Sequence, residues 1–176
     1  TDGQEAYSVA DYWAIPENQS NGMHDLKIVG GTLIRPDGEY LLDIGFRRSE
    51  RSLPPDYRKY SSRAYVSDMG DLHTFGAFET VDADGLKIYP GKVLEGRMNS
   101  LQILQLDAND LYRQGITAVV GDHPMPNHPA REKLRILPPG GKASARVKPG
   151  ESVDLVLYRG DQLVGVVVEG RYWGLE

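Results

Sequence analysis

Cysteine is absent from all 176 positions, which removes disulfides, thiolate metal sites and a cysteine nucleophile together. The absence leaves the compartment open, since a reducing cytoplasm and a disulfide-poor periplasm both tolerate it. No apolar run is long enough to span a bilayer. A basic stripe is also missing: Lys and Arg number 20 against 25 Asp and Glu, for a net charge of −5, and this argues against a nucleic-acid partner. No serine stands in a Gly-x-Ser-x-Gly setting, no fixed-period repeat is visible, and no long stretch carries the 3.6-residue periodicity of an amphipathic helix. The chain starts at Thr1 with no apolar leader, and Leu175-Glu176 reads as a tag remnant. A processed periplasmic or secreted protein is expected from that start.

What remains is strand after strand, separated by Gly, Pro, Asp and Asn. The clearest case is residues 150–173, where Val153, Leu155 and Leu157 alternate, Arg159-Gly160-Asp161 turns, and residues 163–168 supply a second β-branched run. A second hairpin joins Leu26, Ile28, Leu33 and Ile34 to residues 40–46 through Pro36-Asp37-Gly38, with Gly30-Gly31 predicting a bulge. Residues 64–66, 73–81, 86–89, 101–106, 116–120, 134–137 and 143–147 read as further strands. Asp107 or Asn109 is placed to cap one short helical turn that Gly115 ends. The expectation is an all-β fold with little helix. It is an immunoglobulin-like or related β-sandwich, either one unit over 1–176 or two packed β subdomains divided near residue 95.

Few side chains point to chemistry. The loop Asp122-His123-Pro124-Met125-Pro126-Asn127-His128-Pro129 holds two of the four histidines. Two imidazoles in one stiff loop chelate Ni, Cu or Zn if the turns bring the rings together, and otherwise form an exposed polar loop. His123, His128 and Asp122 are the candidate metal ligands. Asp82-Ala83-Asp84-Gly85 looks like half a calcium loop, but the remaining acids are missing, so it reads as a turn. The basic stretch from Arg47 to Arg63 is diluted by Glu50 and Asp56 and reads as a solvated connection.

Two segments resemble a secreted or periplasmic β-sandwich family of unassigned function that is associated with nickel and cobalt uptake. They are Ala10-Asp11-Tyr12-Trp13-Ala14-Ile15-Pro16, and residues 101–106 taken with residues 153–174. The family's early histidine falls at Val9-Ala10 here, and the proline expected after the turn glycine is Gln162. The resemblance implies a non-enzymatic extracytoplasmic binding protein that handles a transition metal ion or metal complex. The alternative is a carbohydrate- or protein-binding module in which Tyr12, Trp13, Tyr172 and Trp173 form an aromatic platform. Under either reading the partner is a small ligand, a metal ion or another protein.

Overall fold

The computed structural model describes residues 23–48 and 64–175. Tyr12, Trp13 and the whole 10–16 segment therefore lie outside the described residues, as does most of the basic stretch. Eleven strands are described: β1 (Leu26–Arg35), β2 (Gly38–Arg48), β3 (Ala64–Gly70), β4 (Thr80–Asp82), β5 (Lys87–Pro90), β6 (Lys92–Met98), β7 (Ile116–Gly121), β8 (Arg135–Leu137), β9 (Leu155–Arg159), β10 (Gln162–Val168) and β11 (Arg171–Gly174). Two short helices, α1 (Ser100–Leu104) and α2 (Ala108–Arg113), and a 3-10 turn at Pro129–Glu132 complete the set.

The mostly-β expectation holds, and both hairpins form. β1 pairs antiparallel with β2, and its register slips between Ile28 and Gly31, where Gly30 takes a φ of 76°. β9 pairs antiparallel with β10 across a turn at Gly160, φ 61°. The arrangement is not simply an antiparallel sandwich. The larger sheet runs β11-β10-β9-β5-β1-β2-β3, with β4 also on β1, and β1 lies parallel to both β4 and β5. The smaller sheet, β6-β7-β8, is parallel throughout. Parallel neighbours need crossovers, which the immunoglobulin order does not use.

Residues 101–106 were expected as a strand and instead begin a helix. Asn99 accepts from the Gln102 N–H at 2.8 Å, while Gln102 Oε1 accepts from the Asn99 N–H at 2.9 Å. That reciprocal capping box nucleates a turn that a short aliphatic run alone would not. Asp107 caps α2 as expected, and Gly115 follows its end at a φ of 78°. The strand expected over residues 143–147 does not form, and the one over residues 73–81 shrinks to β4.

β9 and β10 are a shared wall between two apolar clusters. Leu155, Leu157 and Val167 face a core with Leu26, Ile28, Leu33, Ile44, Phe46 and Ile88. Val156, Val166 and Val168 face the other side, against Ile103, Tyr112, Val119, Leu134 and Ile136. Alternate residues of a strand point to opposite faces, so a strand buried on both sides must be apolar at every position. This explains the uninterrupted Val166-Val167-Val168. Each such side chain contributes roughly 1.5–3 kcal/mol by burial. The smaller sheet starts at Lys92, and its cluster is closed by residues of the larger sheet.

Candidate functional site

Where the larger sheet meets β8, an acid interrupts the apolar run. Asp154, just before β9, is 4% exposed and accepts four hydrogen bonds. They come from Arg135 Nε at 3.0 Å and Nη2 at 2.8 Å, from Thr117 Oγ1 at 3.1 Å, and from the backbone N–H of Glu169 at 2.9 Å. Burying a charge is tolerable only when it is paired and hydrogen-bonded, and this carboxylate meets that condition. The node ties β7, β8, β9 and the β10–β11 turn to one point.

Glu169 sits in that turn with φ 50°, the only described non-glycine residue with positive φ, and Gly170 follows at 76°. A two-residue hairpin connection of this kind favours Asn-Gly or Gly-Gly, so a glutamate here is strained by about 1 kcal/mol or more. Its side chain lies 3.4 Å from Arg131 Nη2 and 3.7 Å from Arg135 Nη1. Burial raises the Glu169 pKa above the ordinary 4.5; Arg135 and Arg131 pull it back and Asp154 pushes it up further. The Arg135 pKa is raised: burial works against its charge, but Asp154 and Glu169 together outweigh that cost. Tyr112 is pushed up by burial and by Asp154, and its hydroxyl donates to the Lys133 carbonyl.

Arg131, Arg135 and Glu169 line an open cleft of about 870 Å³, with Ser144 and Glu151 on another wall and Lys142 beside them. Ser144 Oγ donates to Glu151 at 2.7 Å. Lys142 is exposed and its ammonium has no partner among the described residues. The cleft thus joins a half-buried acid of raised pKa to cationic groups able to hold an anion.

The histidine loop borders the same cleft through Pro124, Met125 and Pro126, but the two imidazoles are not offered as a chelating pair. His128 is 8% exposed, and both its ring nitrogens are engaged. Nδ1 accepts from the Ala130 N–H at 3.0 Å, which leaves the proton on Nε2 to donate to the Ser100 carbonyl at 3.0 Å. His128 caps the 3-10 turn. His123 is exposed and bonded to Asp122. Among the described residues, no three His, Asp or Glu side chains are grouped to hold a metal ion.

Of the four residues expected to form an aromatic platform, Tyr172 and Trp173 lie among the described residues. Tyr172 and Trp173 are consecutive residues of β11 and point to opposite faces. Tyr172 packs on the first core beside Gly165, where a Cβ would lie 2.5 Å from its ring, and Trp173 packs on the second, with Lys133 Nζ 5.3 Å from its ring centroid.

Sequence reasoning missed Asp154, Arg135 and Glu169. The signals were an acid between Val153 and Leu155 and a glutamate in a turn position that glycine or asparagine favours.

No protein-family model matches the chain, and no curated protein matches it. Among solved structures it is similar to an N-acyl-D-glutamate deacylase from Bordetella bronchiseptica, complexed with zinc and a phosphonate inhibitor (24% identity, TM-score 0.39, 58% of this chain and 19% of that one). It is also similar to a D-aminoacylase described as defining a novel subset of amidohydrolases (23% identity, TM-score 0.38, 57% and 19%). A third is an L-hydantoinase from Arthrobacter aurescens (21%, TM-score 0.40, 56% and 20%). The chain spans about a fifth of the length of each. So loose and partial a likeness carries no argument about activity. The neighbours are named as hydrolases, which does not accord with the expectation of a non-enzymatic extracytoplasmic binding protein, and that expectation is not carried further. Within the described residues, His128 is used as a cap and Tyr172 and Trp173 lie on opposite faces.

Proposed function

We propose that the cleft over Arg131, Arg135 and Glu169 serves hydrolysis of a small, carboxylate-bearing amide. Arg131 and Lys142 anchor the substrate carboxylate, and Glu169 carries the proton. The observation behind this reading is the joining, in one open cleft, of an acid of raised pKa on a strained turn to cations not wholly spent on protein partners. Acids with pKa values raised toward neutrality are suited to general acid–base work, and strain persists where the surroundings enforce it. In the step, water attacks the amide carbonyl carbon as its proton passes to the Glu169 carboxylate. The proton is then delivered to the leaving nitrogen as the C–N bond breaks, giving a carboxylic acid and an amine. Asp154 takes no part in proton transfer; it fixes Arg135 and the Glu169 backbone.

The Bordetella bronchiseptica deacylase holds zinc, but the described residues of this chain group no ligand set for that ion. The neighbours' named substrates serve only to choose probes. N-acetyl amino acids, N-acetylglutamate among them, are tested by amine release, with binding followed by calorimetry. The expected pattern is that Glu169→Gln binds within about threefold of the parent and loses turnover by two or more orders of magnitude, while Arg131→Met weakens binding. Equal turnover in the parent and Glu169→Gln contradicts the assignment, as does the absence of both binding and turnover across the panel.

A further inference from the structure

A second pocket, of about 570 Å³, lies on the second-cluster face of β5 and β9. It shares no lining residue with the cleft above. We propose that it is a binding site for a small planar aromatic monocarboxylate.

Its walls are Tyr89 of β5, Tyr158 and Val156 of β9, and Pro90. The two tyrosine rings stand edge to face, with centroids 5.7 Å apart and planes at 87°. A third ring can complete such an arrangement, since aromatic edges and faces carry opposite partial charge. The volume falls in the range of small-molecule sites, roughly 300–1,000 Å³.

The polar groups say which aromatic. Lys92 opens β6, and its backbone N–H is held by the Gly115 carbonyl at 2.8 Å, so the root of its side chain is fixed. Its ammonium, and the hydroxyls of Tyr89 and Tyr158, have no hydrogen-bond or ion-pair partner among the described residues. One cation and two phenol donors beside stacked rings match a carboxylate attached to a ring. Asp161, on the β9–β10 turn, also lines the pocket and disfavours a second negative group. Gly115, φ 78°, lies at the wall beside these groups: a Cβ there would be in ordinary contact with the Tyr158 hydroxyl at 3.8 Å and Lys92 Cδ at 3.9 Å.

The test is calorimetric titration of 2-naphthoate into the full chain, with 2-naphthamide and cyclohexanecarboxylate as probes lacking the charge or the aromatic ring. Lys92→Met and Arg131→Met are the variants, and circular dichroism checks that each is folded. The proposal expects saturable binding of 2-naphthoate, weakened at least about tenfold by Lys92→Met and for each of the two analogues, and unchanged by Arg131→Met. No saturable binding, equal affinity in Lys92→Met, or loss of binding in Arg131→Met would each overturn it; the last would assign the acid to the other cleft.

Discussion

Two buried carboxylates face the same problem and meet it differently. Asp154 is saturated, with two bonds from Arg135, one from Thr117 and one from the Glu169 backbone. Asp68, in β3, is 0% exposed and meets His24 Nε2 and Ser67 Oγ through Oδ2, while its Oδ1 and His24 Nδ1 have no partner among the described residues. The contrast separates a node that organises from a contact that merely closes. Asp154 joins four elements and holds Glu169 over an open cleft. The His24–Asp68 pair pins the chain before β1 to β3 and lines neither the cleft nor the tyrosine pocket.

The comparison can be broken from its stronger side first. Asp154→Ala leaves Arg135 buried without its partner, and denaturant unfolding should show a loss of about 3–5 kcal/mol. Asp68→Ala removes an acceptor that is only partly used, so the same measurement should show a smaller loss, about 1–3 kcal/mol. Equal losses would mean that saturation is not what distinguishes the two. Gly45→Ala tests the packing of the weaker pair: its Cβ would lie 2.6 Å from His24 Nε2, and overpacking of this kind costs about 1–3 kcal/mol.

Glu169 supplies a pH-dependent test. Its folded pKa is raised, so its contribution to stability is fully present below about pH 4.5 and is lost as pH rises through the folded value. Thermal melts of Glu169→Gln against the parent should therefore shift in the variant's favour between pH 4 and pH 7. A difference that stays flat or moves the other way would sink the raised pKa. The smallest effect belongs to the α1 cap, where Asn99→Ala should cost about 0.5–1 kcal/mol.

The local parts of this fold were readable and the assembled parts were not. The β1–β2 and β9–β10 hairpins are set by turn residues and alternation lying within a few positions of each other, so sequence alone predicts them. Residues 101–106 show the limit of periodicity, since a short aliphatic run fits strand or helix until the Asn99–Gln102 box decides. The parallel pairs β1–β5 and β6–β7–β8 depend on crossovers that no local pattern encodes. The site was the least visible part. Arg135, Asp154 and Glu169 come from three separate stretches, whereas His123 and His128 attracted notice by proximity in sequence. His128 then proved to be spent on the chain's own backbone.

The most direct measurement is a carbon-detected NMR titration of the Glu169 carboxyl, with and without N-acetylglutamate. The account predicts a midpoint above the ordinary 4.5 in the free protein, moved higher when a second carboxylate occupies the cleft. A midpoint at or below 4.5 that ignores the added acid would contradict it.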